Sequence, residues 1–173
     1  MTEPSADPTV PLVLGIGNEH RGDDAVGLLI VRHLRSRLAG VATVAEVVGE
    51  GTELLDWWDG RRFVVAVDAV RAGLAPGAVV RWESGRGALP TSLGTVSSHG
   101  VSLGQAIALG DALDRRPEIL VLYGIEGSNF AVGDPPSEAV LAALEPTSRR
   151  IEAEVRGRGA LGRESAPRSR PDA

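Results

Sequence analysis

The chain has 173 residues, enough for one globular domain, and a formal net charge of −5. It contains no cysteine, which excludes disulfides, thiolate metal sites and a cysteine nucleophile. All 18 basic residues are arginine, which rules out a Walker-type phosphate lysine and a Schiff-base lysine, and the acidic balance argues against a nucleic-acid partner.

The ends of the chain are polar, and the apolar runs within it are short. The sequence therefore predicts neither a signal peptide nor a membrane span. The absence of cysteine fits a reducing cytoplasm, where we expect the protein. We expect a single domain over residues 10–156, with flexible tails at 1–9 and 157–173, because the C-terminal segment is rich in Gly, Arg, Ser and Pro.

The first strand and helix are separated by a turn and a polar loop. An apolar run over Val10–Leu14 predicts a buried strand, which breaks at Gly15-Ile16-Gly17-Asn18. From Val26 to Leu38 the apolar residues recur about every 3.6 positions, which predicts a helix. His33 falls on the apolar stripe of that helix, so we expect it to be structural.

Two adjacent acids, Asp23 and Asp24, precede this helix and have three interpretations. Either carboxylate can cap the helix, where free N–H groups and the positive end of the dipole favour an acid. Dinucleotide binding is disfavoured, because His20 stands where the third glycine of the fingerprint is needed and two acids would repel a pyrophosphate. In the third interpretation one acid caps and the other faces the cleft above the strand, where open α/β sheets bind ligands.

Strands and helices alternate along the rest of the chain. The apolar patterns predict strands over Thr43–Val48, Phe63–Val67, Ala78–Trp82 and Ile119–Ile125, and helices over Glu53–Trp58, Ser102–Leu113 and 137–155. Pro146 is expected to kink or split the last helix. The alternation predicts a three-layer α/β/α domain with a mostly parallel sheet, in which Ala78–Trp82 is a candidate antiparallel edge strand.

Polar side chains are predicted at the strand ends that converge on one edge of such a sheet. They are the loop residues Asn18–Asp24, Asp68 after the third strand, His99 before a helix and Glu126 after the last strand. Two carboxylates and an imidazole can hold nickel, zinc or iron, and they equally suit acid–base work on a water molecule. Each also has an ordinary role: a turn residue for Asp68, a helix-entry residue for His99 and a solvated acid for Glu126.

A serine nucleophile is the less favoured mechanism. The loop Ser84–Ser98 is rich in glycine and serine, and loops of this length tend to be functional or disordered. Ser97 and Ser98 place hydroxyls beside His99, but we assign no nucleophile elbow in the chain. A serine triad is defined by geometry, so this alternative stays open.

Five segments resemble the hydrogenase maturation protease family, in the same order and spacing over roughly residues 10–155. They are GIGN…DDAVG (15–27), VVAVDAV (64–70), PGAVVRWE (76–83), SSHGVSLGQAIAL (97–109) and LVLYGIEG (120–127). The combination of GxGN-x5-D, a strand-end Asp and the loop SSHG carries the resemblance. It implies a phosphorylase/hydrolase-like α/β fold, with a twisted five-stranded sheet and helices on both sides.

The resemblance also implies an activity and a site. Proteins of this family are endopeptidases that remove a C-terminal extension from the precursor of the [NiFe]-hydrogenase large subunit after nickel insertion. Their metal-contacting side chains correspond to Asp24, Asp68 and His99, which we therefore expect to be metal ligands and catalytic residues. Asp23 is then left as the helix cap. The segment Gly49–Thr52 is shorter than in the family, so no substrate contact is assigned to it.

The partner implied by the resemblance is a [NiFe]-hydrogenase large-subunit precursor, which carries the nickel, so no tightly bound cofactor of the protein's own is expected. We expect a cytoplasmic monomer with no nucleic-acid or membrane partner. Two alternatives have the same fold. One is a non-catalytic binding module that grips a metal-loaded partner, and the other is a self-contained metallohydrolase that owns its metal.

Overall fold

The computed structural model of the chain describes residues 7–48, 53–85 and 103–164. In this part of the chain, five strands form one sheet, namely β1 (Leu12–Ile16), β2 (Thr43–Val47), β3 (Phe63–Val70), β4 (Val79–Glu83) and β5 (Ile119–Glu126). The accompanying helices are α1 (Val26–Arg37), α2 (Glu53–Trp58), α3 (Leu103–Ala112) and α4 (Glu138–Glu164). A 3-10 turn over Gly22–Ala25 leads into α1.

The sheet is mostly parallel, as predicted. Its strand order is β2-β1-β3-β5-β4, and the first four strands in that order run parallel to one another. Strand β4 pairs antiparallel with β5, with Val79 opposite Ile125, which confirms the predicted antiparallel edge strand. All eight residues of β3 are buried, because a central parallel strand is covered on both faces.

Helices cover both faces of the sheet, which confirms the three-layer α/β/α architecture. One core holds Val13, Val65 and Val121 of the sheet with the apolar residues of α1 and α4. The other holds Leu14 and Ala66 with the apolar residues of α2 and α3. Successive side chains of a strand point to opposite faces, so each strand contributes to both cores. No helix in the described residues is long and apolar enough to cross a membrane.

Helix α1 buries most of the predicted apolar stripe, but not His33. His33 is exposed and not part of the apolar stripe, whereas Ile30, Val31 and Leu34 are fully buried. The inward face is centred on Ile30 and Leu34, one turn apart, with Val31 beside them. At about 100° per residue, that orientation places His33 on the solvent side.

The last helix is longer than predicted. It runs without interruption through Pro146 and continues to Glu164, so residues 157–164, which we expected to belong to a flexible tail, are helical. Apolar residues are scarce there, but Arg158 forms ion pairs with Glu83 at 2.9 Å and with Glu154 at 3.3 Å. Charge pairing therefore holds the helix onto β4 beyond the end of its apolar stripe.

The N-terminal segment is also fastened earlier than predicted. The guanidinium of Arg61 donates to the carbonyl of Asp7 at 3.0 Å and to that of Val10 at 3.4 Å. The backbone N–H of Arg62 donates to the carbonyl of Pro8 at 3.2 Å. Residues 7–9, predicted as part of a flexible tail, are thus tied to the turn before β3.

Candidate active site

Asp24 and Asp68 lie at the carboxyl edge of the sheet, on neighbouring elements. Asp24 is in the 3-10 turn that follows β1, and Asp68 lies within β3, which is hydrogen-bonded to β1. Asp68 was predicted to follow its strand, but β3 continues two residues further, to Val70, and the Asp68 side chain is buried. The two carboxyl groups are close enough for the charge of Asp24 to act on Asp68.

A glycine fixes the path of the chain between β1 and Asp24. Gly17 has a φ of +144°, in the region that side chains rarely adopt. A Cβ at this position would overlap the backbone carbonyl of Asp24. That carbonyl accepts a hydrogen bond from the N–H of Asn18 at 3.3 Å. The glycine of the predicted tight turn thus allows the loop to fold back on the residue that bears the site carboxylate.

Both site carboxyls hold their protons more tightly than an ordinary aspartate does. Burial raises the pKa of Asp68 well above its usual value, and the negative charge of Asp24 raises it further, while the N–H of Ala69 opposes the rise. Burial also raises the pKa of Asp24, against the opposing effects of Arg21 and the N–H of Asn18. A pair of acids with too little compensating charge favours a bound cation or a shared proton. It therefore suits metal contact and acid–base chemistry.

Asp23 does not cap the helix that it precedes, which corrects the prediction. Neither the 3-10 turn nor α1 has a side-chain cap. The buried carboxylate instead accepts hydrogen bonds from the backbone N–H groups of Ser128, Asn129 and Ser137. Burial alone would raise the pKa of Asp23, but these N–H groups outweigh it and the pKa is lowered. Ser137 directly precedes α4, so Asp23 stabilises the start of α4 and not the start of α1.

Glu126 and His20 are separate from the acid pair. Glu126 was predicted as a solvated acid or a site residue, but it is buried and accepts hydrogen bonds from the N–H groups of Ala72 at 2.7 Å and Gly73 at 3.1 Å. It therefore fastens the turn between β3 and β4. His20 is exposed, and its ring lies 3.9 Å from the carboxylate of Glu19.

The third predicted ligand, His99, lies outside the described residues, as do Ser97 and Ser98. In the part of the chain that the structure describes, no three His, Asp or Glu side chains are grouped to hold a metal ion. The prediction that the chain has no nucleophile elbow needs correction, because GVSLG at 100–104 has the Gly-x-Ser-x-Gly spacing. An elbow needs a strand leading directly into the turn, and residues 100–102 of this match lie outside the described ranges.

Arg21 is a further neighbour of the acid pair, and the sequence predicts no separate role for it. Its positive charge opposes the rise in the pKa of Asp24, and its Nη2 donates to the carbonyl of Phe130 at 3.5 Å. Its buried Nε has no hydrogen-bond partner among the described residues. The only hint in the sequence is an arginine three residues before an acid, which is too common a pattern to predict a role.

The fold and the acid pair define a three-layer α/β protein with a carboxylate site at the carboxyl edge of its sheet. No family model matches the chain, and no curated protein matches its sequence. Similar solved structures include the hydrogenase maturating endopeptidase HybD from Escherichia coli, at 25% identity and a TM-score of 0.72 over 86% of this chain and 93% of that one. Another is an endopeptidase from Escherichia coli solved in solution, at 26% identity and a TM-score of 0.73 with the same coverage.

A third similar structure is the [NiFe] hydrogenase maturation protease HycI from Thermococcus kodakarensis KOD1. It is 21% identical, with a TM-score of 0.65 over 89% of this chain and 97% of that one, and it supports the fold. The similarity to HybD confirms the resemblance to hydrogenase maturation proteases, and the other two structures confirm the fold.

Proposed function

We propose that the protein is an endopeptidase that removes the C-terminal extension of a [NiFe]-hydrogenase large-subunit precursor after nickel has been inserted. The observation that carries the proposal is the acid pair of half-buried Asp24 and buried Asp68, at the carboxyl edge of a fold shared with two endopeptidases at 25% and 26% identity. The reaction is expected in the cytoplasm, with the protein acting as a monomer.

In this proposal, Asp24, Asp68 and His99 contact nickel that belongs to the substrate. Two carboxylates and a neutral imidazole supply a net charge near −2, which favours a divalent cation. Oxygen and nitrogen donors suit a borderline ion such as nickel. Three protein ligands leave coordination positions for groups of the precursor, so the protein can recognise the metal while it stays in the precursor's site.

The acid pair also supplies chemistry for cleavage of the peptide bond. Because burial and the charge of Asp24 raise the pKa of Asp68, this carboxyl is suited to accept a proton from an attacking water and return it to the leaving amine. The alternative is a water or carbonyl polarised by the substrate's nickel. In both routes a water oxygen bonds to the carbonyl carbon, the C–N bond breaks, and the amine leaves with a proton.

Two experiments separate this proposal from its alternatives. Incubation with nickel-loaded precursor should give a shortened product, detected by intact mass, whereas a binding module would give a stable complex and no product. Metal analysis of the purified protein should find little metal, because the ion that the site contacts belongs to the substrate. A stoichiometric bound metal, together with cleavage that does not depend on nickel in the precursor, would favour the self-contained metallohydrolase.

A further inference from the structure

Two loops at the site are joined into one unit by backbone hydrogen bonds. The acid loop, residues 17–25, follows β1, and the β5–α4 loop, residues 127–137, follows β5. The bonds between them run from Gly22 N–H to the carbonyl of Asp134 at 3.1 Å, from Asp23 N–H to that of Asn129 at 2.7 Å, and from Gly133 N–H to that of His20 at 2.8 Å. Gly22 has a φ of +54°, and a Cβ there would meet the Asn129 carbonyl oxygen at 2.5 Å.

The carboxylate of Asp23 lies at the centre of this unit, with no exposed surface. Its Oδ2 accepts from the N–H of Ser128 at 2.7 Å, from the N–H of Asn129 at 2.9 Å and from the Ser128 hydroxyl at 3.2 Å. Its Oδ1 accepts from the N–H of Ser137 at 2.6 Å. One side chain of the acid loop therefore holds both ends of the β5–α4 loop, and both of its oxygens are in use.

We infer that Asp23 is a positioning residue, which aims Asp24 at Asp68 by anchoring the acid loop to the β5–α4 loop. Consecutive Cα atoms lie about 3.8 Å apart, so an anchored Asp23 leaves the backbone of Asp24 little freedom. A buried carboxylate with several N–H partners is a rigid anchor, because each charge-assisted bond restricts its direction. That Asp24 contacts a metal rests on the proposed function, whereas the effect of Asp23 on the position of Asp24 does not.

Glu126 provides a matched control within the same chain. It is also a buried carboxylate at the carboxyl edge of the sheet, and it also accepts two backbone N–H bonds from a loop. The loop that Glu126 holds follows β3 and contains Ala72 and Gly73. Within the described part of the chain, no hydrogen bond joins this loop to the acid loop. Loss of this anchor should lower stability without moving Asp24.

The test compares Asp23→Ala, Asp23→Asn and Glu126→Gln with wild type. The Asn variant keeps one acceptor oxygen and puts an NH2 group against N–H donors, so it should be the milder change and should fold if the Ala variant does not. Titration with Cd2+ alone should show that both Asp23 variants bind Cd2+ about 10- to 100-fold more weakly than wild type does. Losses of this size are typical when a residue that orients a metal ligand is replaced. Glu126→Gln should lower Tm and keep the affinity of wild type.

Kinetics and structure give two further readouts. With nickel-loaded precursor, the Asp23 variants should lower kcat more than they raise KM, because the precursor still docks while Asp24 is misplaced. A crystal structure of Asp23→Asn should show the Asp24 carboxylate displaced relative to Asp68. This last readout needs neither metal nor precursor, so it holds even if wild type processes nothing and the proposed function fails. An unmoved Asp24 carboxylate, or metal affinity that falls equally in Glu126→Gln, would overturn the inference.

Discussion

Replacement of Asp68 by Asn should stabilise the metal-free protein at neutral and alkaline pH. The carboxyl of Asp68 is buried beside Asp24, and its pKa is raised well above the usual value of 3.8. The folded protein therefore binds this proton more tightly than the unfolded chain does. Stability is present in full below the unfolded pKa and is lost as the pH rises through the raised pKa of the folded state.

The magnitude follows from the same linkage. Each unit by which the folded pKa exceeds the unfolded one costs about 1.4 kcal/mol of unfolding free energy at a pH above both. An Asn at position 68 keeps nearly the same shape and an oxygen able to accept from the N–H of Ala69, but it never ionises. We therefore expect the free energy of unfolding at pH 8 to rise by at least about 1 kcal/mol, with a much smaller change at pH 4.

Urea denaturation at pH 4, 6 and 8, with a chelator present, measures this effect. Asp114→Asn is the matched control, because Asp114 is exposed and its φ of +53° is one that Asn tolerates. The control should follow the pH dependence of wild type, while Asp68→Asn should show a flatter profile. An Asp68→Asn variant that is less stable than wild type at pH 8, or that has the same pH slope, would refute the argument from burial.

Two further predictions concern the C-terminal helix and the metal. Truncation before Arg158 should lower the free energy of unfolding by about 1–2 kcal/mol, measured by urea denaturation. Glu83 loses one of its charged partners, and the Phe63 ring loses the Arg158 guanidinium, which lies 5.1 Å from the ring centroid in the intact protein. Truncation after Glu164 is the control and should cost nothing measurable; equal losses would show that the tail beyond Glu164 is docked. Free Ni2+, Zn2+ or Cd2+ should bind weakly to wild type and less to His99→Ala, and saturating amounts should compete with precursor. Binding should weaken below about pH 6, since a ligating histidine must be neutral. Equal binding to both proteins by calorimetry would remove His99 from the site.

The elements of the fold were predictable because each depends on a local pattern. Runs such as Phe63–Val67 are apolar throughout, and the structure confirms them as buried strands with ends shifted by a few residues. The antiparallel edge strand was also predictable, since a short turn over Ala75-Pro76-Gly77 precedes it. The rule that ligands bind at the carboxyl edge of such sheets predicts a site among residues 18–24 and Asp68. The choice of Asp24 over Asp23 is what the family resemblance implies.

Three of the errors involve partners far away in the sequence. Asp23 was assigned as a cap of its own helix, but its hydrogen-bond partners lie 105 to 114 residues further along the chain. The length of α4 depends on Arg158 meeting Glu83 of β4, which no pattern within the helix indicates. The sequence predicts a site residue or a solvated acid at Glu126, because its two N–H donors belong to a loop more than 50 residues before it. Local periodicity contains no information on such pairs.

The rate at which the protein shortens a hydrogenase large-subunit precursor, with and without nickel in that precursor, tests the central claim most directly. Wild type should convert nickel-loaded precursor to a product shorter at its C-terminus, and should leave nickel-free precursor intact, in an assay read by intact mass. Asp24→Ala should remain folded and convert neither. Equal cleavage of both precursors, or full activity in Asp24→Ala, would contradict the account in which the acid pair reads the metal of the substrate.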